Sequence, residues 1–239
     1  MKHQISQLLF KRFQHSQLVL PAYNDSADFE WIRTQSGLPW LQLTIDIPYQ
    51  TILKEIPNIQ ALLTTHREEY GEHLGWQSFC LHGKSYDSTR EDTYYNDARP
   101  YIWTEEAQQC MPNTVNYFSK HWPGTQYQRV RVMLLEPGGY IDIHSDYKQS
   151  ELLPINIAIT QPKDCYFLME KYGIIPFESG KAYWLDISNK HIVFNNSDKP
   201  RWHIIIHQNL NNKEFQNLVV NSYKTMYNSI NENSHNYNI

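Results

Sequence analysis

The strongest constraint on the fold is a series of short apolar segments in the second half of the chain, separated by turn residues. Strands of this length, at intervals of roughly 8–12 residues with Pro, Gly, Asn and Asp between them, are typical of an all-β sandwich or barrel. The predicted strands lie at 129–135, 140–144, 152–160, 165–170, 174–177, 182–186, 191–195 and 202–207. We therefore predict a mainly β protein built on a double-stranded β-helix, which is a cupin-like jelly roll.

The first half of the chain mixes strand and helix patterns. Trp40 to Ile47 alternates as a strand does, and Ile52, Ile56 and Ile59 are spaced as in an amphipathic helix. We predict an N-terminal α/β elaboration with helices over 1–125, a barrel over 126–210, and a C-terminal helix with a frayed tail over 211–239, all within one domain. The polar segment 84–100 is predicted to be a surface loop, with a lid over the active site as the alternative.

Composition excludes several functional classes. The net charge is -4, so a nucleic-acid or anionic-membrane surface is not expected. No apolar run approaches the roughly 20 residues of a membrane helix, and the first residues lack the apolar region of a signal peptide. The 3 cysteines are far apart and form no CxxC pair, which argues against structural zinc and favours a reducing, cytoplasmic location.

Two histidines and an aspartate form a candidate metal site. His144 and Asp146 are separated by one residue, so on a strand they share a face and lie about 7 Å apart. His191 begins a later predicted strand. Two imidazoles and one carboxylate are the facial set that binds iron(II) in non-haem oxygenases and leaves other coordination positions open. We interpret the three residues as iron(II) ligands, with O2 and an acidic cosubstrate completing the chemistry.

Arg201 is the candidate anchor for that cosubstrate. It lies on the last predicted strand and shares a face with His203, Ile205 and His207. An arginine in an apolar strand is unfavourable unless it is paired, and its planar fork matches a carboxylate. The alternative is an edge strand whose arginine faces solvent. Together with the histidines and the aspartate, the pattern indicates an oxygenase that depends on iron(II) and 2-oxoglutarate.

These motifs resemble those of the aspartyl/asparaginyl β-hydroxylase family. The resemblance runs from Leu134–Gly139 through His144-Ser145-Asp146, and it continues with Gly180–Asp186 and with His191 to Arg201. It implies a double-stranded β-helix that holds iron(II) through His144, Asp146 and His191. It also implies 2-oxoglutarate chelated to the metal, with its distal carboxylate on Arg201.

One position departs from the family pattern. Family members often carry Arg-x-His on the strand after the metal motif, and the histidine lies near the metal-proximal carboxylate of the cosubstrate. Asn156 occupies that position here. Its amide still donates a hydrogen bond but brings no charge, so Asn156 is a candidate cosubstrate residue, with a plain core asparagine as the alternative.

Substrate residues are less sharply indicated. His203 shares the Arg201 face and is a candidate for contact with the substrate or for support of the residues that bind the ligands; the alternative is a hydrogen-bonded core histidine. Arg131 would hold a substrate carboxylate if it faced inward, but for Arg129 and Arg131 solvent exposure is the default expectation. The resemblance implies an amino-acid substrate, either a small molecule or a side chain within a peptide.

Two other functions fit parts of the pattern. The first is a cupin-type metal protein without 2-oxoglutarate chemistry, although typical cupins use a glutamate and lack an arginine at the position of Arg201. The second is a sensor that binds 2-oxoglutarate without turning it over. The intact set of His144, Asp146 and His191 argues against loss of chemistry.

Overall fold

The computed structural model describes residues 23–66, 73–88, 99–124, 127–146 and 152–236. Its strands form one continuous, strongly curved antiparallel sheet. The strands are β1 Trp40–Leu43, β2 Thr64–Thr65, β3 His73–Gly83, β4 Ile102–Trp103, β5 Tyr127–His144, β6 Leu152–Ala158, β7 Cys165–Met169, β8 Gly173–Ile174, β9 Ala182–Leu185, β10 His191–Asn195 and β11 Arg201–Asn209. The helices are α1 Phe29–Thr34, α2 Tyr49–Glu55, α3 Glu105–Cys110, α4 Pro112–Lys120 and α5 Lys213–Asn236, with a 3-10 helix at Ile56–Leu62.

Strand β5 joins the two halves of the curved sheet because it bends near its middle. Its first half pairs with β11, where Leu135 lies opposite Arg201, and its second half pairs with β10, where His144 lies opposite His191. The strand order is therefore β1-β9-β6-β11-β5 in one half of the continuous sheet and β5-β10-β7-β8 in the other, and each half is described below as a sheet. Two antiparallel sheets joined in this order form a jelly roll, so the predicted double-stranded β-helix is confirmed. We call the first sheet the major sheet and the second the minor sheet.

The bend in β5 corrects one prediction. The sequence pattern predicts separate strands at 129–135 and 140–144 with a turn at the residues between them, but one strand runs through this region and passes from one sheet to the other. Gly138 has φ of 73°, a conformation that other residues rarely adopt. A Cβ on Gly139 would lie 2.9 Å from the carbonyl oxygens of Glu136 and Leu74, so only glycine lets β3 run beside the bend.

Each face of the major sheet packs into its own apolar core. Val132, Ile157 and Ile204 point outward, where they pack with helix residues such as Ile52 and Phe215. The inner face carries a second apolar cluster, between the two sheets, which contains Leu135, Ala158, Tyr183 and Val193. Because side chains alternate along a strand, residues two positions apart share the inner face.

The helices follow the sequence pattern with shifted boundaries. Pro57 marks the change from α2 to the 3-10 helix, and Pro112 begins α4 after a break, as expected for proline. Helix α5 begins at Lys213 and continues to Asn236, so it includes most of the 211–239 segment whose end was expected to fray. The residues outside this description include most of the predicted loop or lid at 84–100, the first 22 residues, and 237–239. The division at 125 and 210 stays a prediction. Within the described residues, no helix is long and apolar enough to cross a membrane.

Glu55 caps helix α4 from a different helix. Its carboxylate accepts hydrogen bonds from the backbone nitrogens of Asn113 and Thr114, both at 3.0 Å, and from both of their side chains. Met111, the residue before α4, makes no side-chain cap. We expect Glu55→Ala to lower the free energy of unfolding by about 2–4 kcal/mol, measured by urea denaturation, because several donors lose a charged acceptor. Glu105→Gln, at an exposed first-turn position of α3, should change it by less than about 0.5 kcal/mol. Equal effects would contradict this role of Glu55.

Candidate functional site

Three potential metal ligands meet where β5 and β10 pair. His144 ends β5, Asp146 lies two residues beyond it, and His191 begins β10 directly opposite His144. One ligand atom from each residue lies within 4.8 Å of the others. The distance to Asp146 Oδ2 is 3.7 Å from His144 Nε2 and 3.5 Å from His191 Nε2. These separations are long for hydrogen bonds but suit atoms that each bind one ion at about 2.1 Å.

Backbone carbonyls orient both imidazoles. His144 Nδ1 donates to the carbonyl of Asp142 at 2.7 Å, and His191 Nδ1 donates to the carbonyl of Asn189 at 2.9 Å. The ring of Phe167 also stacks on that of His191 at 5.1 Å. A proton held on Nδ1 leaves the Nε2 lone pair free for a metal, as in most histidine metal sites. Both Nε2 atoms therefore face the Asp146 carboxylate as potential ligands.

The electrostatics of the cluster favour an uncharged His191. Burial lowers the pKa of His191, and the nearby charge of His144 lowers it further. The side chain of His191 is only 5% exposed, whereas that of Asp146 is 36% exposed. The cluster is thus closed behind His191 and open on the Asp146 side, where other ligands of a metal can enter. The two imidazoles and the carboxylate fit iron(II). Their role as its ligands stays a prediction.

Arg201 is a buried cation on the inner face of the major sheet. In the strand register it lies opposite Leu135, a member of the inner cluster. Its guanidinium lies 5.6 Å from the ring centre of Phe177. Burial lowers its pKa to about 10, which still leaves it charged at neutral pH. None of the ion pairs among the described residues includes Arg201, and its Nε is buried without a hydrogen-bond partner. Burial raises the pKa of the nearby Cys165 thiol to about 11, so this thiol is no counter-ion.

Asn156 faces the same interior. It is buried on β6 and lies opposite Ile205 on one side and Tyr183 on the other. Within the described part of the chain no hydrogen bond to its side chain is found, so its amide is available to a ligand. This placement suits the predicted contact with a cosubstrate carboxylate, and that contact stays a prediction.

His203 is placed beside Arg201 and is fully buried. Its Nδ1 lies 2.9 Å from Nη2 of Arg201, and its Nε2 lies 3.1 Å from Oε1 of Gln161. Both ring nitrogens are therefore occupied by protein groups. Gln161 and Phe177 were not predicted to belong to the site. Gln161 follows the end of a strand next to Pro162, and nothing in that local pattern distinguishes it from an ordinary turn residue.

The solvent exposure expected for Arg129 and Arg131 is wrong. Both side chains are buried. Arg131 lies opposite Ile205 and Cys80, in the same transverse row of the sheet as Asn156. It therefore belongs to the inner face, because paired residues of neighbouring strands point to the same side. The expectation failed because helices cover the outer face, so neither face of the major sheet is open to solvent.

Comparison with known proteins gives one family. The model of the aspartyl/asparaginyl β-hydroxylase family matches residues 45–209, which is more than half of the chain and includes every candidate site residue named above. No curated protein sequence matches the chain.

Several solved structures resemble this chain at low sequence identity. A 2OG-Fe(II) oxygenase-family oxidoreductase from Burkholderia pseudomallei is 9% identical, with a TM-score of 0.46, and the match covers 82% of this chain and 98% of that one. A Pseudomonas putida prolyl-4-hydroxylase is 15% identical, with a TM-score of 0.43 and coverage of 76% and 96%. A cupin domain from Bordetella pertussis is 18% identical, with a TM-score of 0.28 and coverage of 34% and 79%. Likenesses this low carry no argument about the reaction.

Proposed function

Because the chain belongs to the aspartyl/asparaginyl β-hydroxylase family, a family of 2-oxoglutarate-dependent oxygenases, we propose that it hydroxylates an unactivated C–H bond of an amino acid. The substrate is a free amino acid or an amino-acid side chain within a peptide. Iron(II), 2-oxoglutarate and O2 are the cofactor and cosubstrates, and succinate and CO2 are the co-products.

The buried charge of Arg201, which has no ion-pair partner among the described residues, is the observation that carries this proposal. A buried cation without an anion is strongly unfavourable, so its site is built for a ligand that brings the negative charge. Arg201 and the cluster of His144, Asp146 and His191 lie on strands that pair with the two halves of β5. A dicarboxylate with a metal-chelating end satisfies both groups at once, and 2-oxoglutarate has that chemistry.

The residues of the chain supply binding and orientation. When bound at this site, iron(II) with 2-oxoglutarate and O2 supplies the oxidation of the C–H bond. His144, Asp146 and His191 hold the metal on one side and leave the other side open. Arg201 holds the distal carboxylate, and the amide of Asn156 donates to the metal-proximal carboxylate. The apolar inner cluster, with members such as Phe167 and Val193, excludes water from the reacting groups.

Arg131 is the candidate for substrate recognition. It precedes the bend of β5, whereas His144 follows the bend at a similar distance along the chain, so the two residues lie on facing sheets. Facing sheets are about 10 Å apart, a distance that a small molecule can bridge. A buried guanidinium in that position suits a substrate carboxylate, as free amino acids have.

The free cysteines fit the expected cytoplasmic location.

The proposal predicts succinate release that depends on an amino acid. We expect iron(II)-loaded protein to form succinate from 2-oxoglutarate stoichiometrically with a hydroxylated product when the correct amino acid or peptide is present, as measured by mass spectrometry. Arg131→Met should raise KM for that substrate about 10- to 100-fold, because it loses a charge-assisted contact, and should leave 2-oxoglutarate affinity unchanged. The control is Arg33→Met, since the ion pair that Arg33 forms among the described residues is with Glu30, on α1 as well. A broad panel of free and peptidyl amino acids that never stimulates succinate release would contradict the amino-acid substrate.

A further inference from the structure

Arg201 is held by a histidine rather than by an acid. Its Nη2 lies 2.9 Å from Nδ1 of His203. A guanidinium can only donate, so Nδ1 of His203 must be the acceptor and carry no proton. The proton of the neutral ring is therefore on Nε2.

The contact continues to the opposite sheet. His203 Nε2 donates to Oε1 of Gln161 at 3.1 Å, and Nε2 of Gln161 donates to the carbonyl of Cys165 at 2.6 Å. Cys165 begins β7 in the minor sheet, whereas Arg201 and His203 lie on β11 in the major sheet. The hydrogen bonds thus fix the guanidinium to the backbone of both sheets. Phe177 supports the arrangement, because its ring lies against His203 at 4.8 Å and against Arg201.

A neutral partner leaves the charge of Arg201 available. A carboxylate in place of His203 would neutralise the guanidinium and would compete with any anionic ligand. Burial lowers the pKa of His203 well below its usual range, and the charge of Arg201 lowers it further, so the ring stays neutral. The contact therefore orients the guanidinium without reducing its attraction for a carboxylate.

We propose that His203 and Gln161 are positioning residues that hold the Arg201 guanidinium in the orientation that binds the distal carboxylate of the cosubstrate. This inference rests on the proposed function and adds to it two residues that touch neither metal nor cosubstrate. The role of His203 is to accept from Arg201, and the role of Gln161 is to keep the His203 proton on Nε2. Orientation of a planar fork matters because bidentate binding of a carboxylate requires both groups to be coplanar.

The chain offers matched variants for each role. His203→Asn places an amide oxygen near the position of Nδ1 and keeps an acceptor for Arg201. His203→Leu has a similar size and removes the acceptor. Gln161→Leu removes the acceptor for His203 Nε2, at a partly exposed position where a fold defect is less expected.

The test is an anaerobic titration of each iron(II)-loaded variant with two 2-oxo acids. Binding is measured by calorimetry and by the visible absorption band. The acids are 2-oxoglutarate and 2-oxovalerate, which has the same carbon chain and metal-chelating end but no distal carboxylate. We expect His203→Leu and Gln161→Leu to raise the Kd of 2-oxoglutarate about tenfold or more, and His203→Asn to raise it less than about threefold. Iron(II) affinity and the weaker affinity for 2-oxovalerate should not change.

Two results would overturn the inference. One is equal 2-oxoglutarate affinity in His203→Leu and His203→Asn, with wild-type affinity in Gln161→Leu. The other is a parallel loss of both 2-oxo acids, which would indicate general damage to the pocket. If His203→Leu fails to fold, Gln161→Leu decides alone. Failure of the proposed function would look different, because the wild-type protein itself would then bind no 2-oxoglutarate.

Discussion

Replacement of His144 by alanine is expected to abolish iron(II) binding and all succinate formation. His144 supplies one of the three protein donors that the described residues bring together, and its Nε2 is fixed toward Asp146 by the bond from Nδ1 to the Asp142 carbonyl. Loss of a residue that only hydrogen-bonds to a metal ligand already weakens metal binding about 10- to 100-fold, so loss of a ligand itself should weaken it more than 100-fold. Equilibrium dialysis under anaerobic conditions measures the affinity. The iron(II) affinity of the wild-type protein should also fall as the pH is lowered, because protons compete with the metal for imidazole.

The control for this prediction is His121→Ala. His121 is an exposed histidine that follows α4, and its removal should leave iron stoichiometry and turnover unchanged. The metal assignment fails if His144→Ala still binds one equivalent of iron(II) with the affinity of the wild-type protein. Circular dichroism of the metal-free variant should match the wild type, since the ring of His144 is partly exposed.

The second large effect is expected from Arg201→Met, which should raise the Kd of 2-oxoglutarate about 100-fold or more. Two hydrogen bonds between charged groups are lost, and each contributes roughly 1.5–3 kcal/mol. Iron(II) affinity should stay unchanged, because Arg201 takes no part in the ligand cluster. The free energy of unfolding without ligand should not fall, since methionine removes a buried charge that has no ion-pair partner among the described residues.

Arg201→Lys separates charge from geometry. Lysine keeps the positive charge but has no planar fork, so an affinity between those of the wild type and Arg201→Met is expected. Wild-type affinity in Arg201→Met would mean that the distal carboxylate binds elsewhere. If the wild-type protein binds iron(II) but develops no absorption band with 2-oxoglutarate at any concentration, the cosubstrate assignment is wrong and a cupin-type metal protein is the better description.

The barrel and the ligand cluster were predictable because their signals are local. Alternation within short segments identifies strands, and the His144-Ser145-Asp146 motif places two ligands on one face without knowledge of the fold. The bend at Gly138-Gly139 was not predictable, because its residues are those of a hairpin turn. Whether the chain reverses there depends on pairing with β3, β10 and β11, which are distant in sequence.

The environment of Arg201 could not be predicted from the sequence, for a related reason. Alternation assigns Arg131 and His203 to one face of their strands but does not reveal whether that face is wet or enclosed. The answer depends on closure of the minor sheet and on the packing of helices over the other side. The contact between His203 and Gln161 likewise forms only when β11 lies beside the end of β6.

The continuity of β5 has a consequence for how the barrel opens. A strand that hydrogen-bonds to β11 along one half and to β10 along the other makes the two sheets a single cooperative unit. Neither sheet can detach without removing an edge from its neighbour, so partial unfolding that spares the other sheet is disfavoured. Ligand binding at one end of β5 therefore stabilises amides along its whole length, including those farthest from the metal cluster.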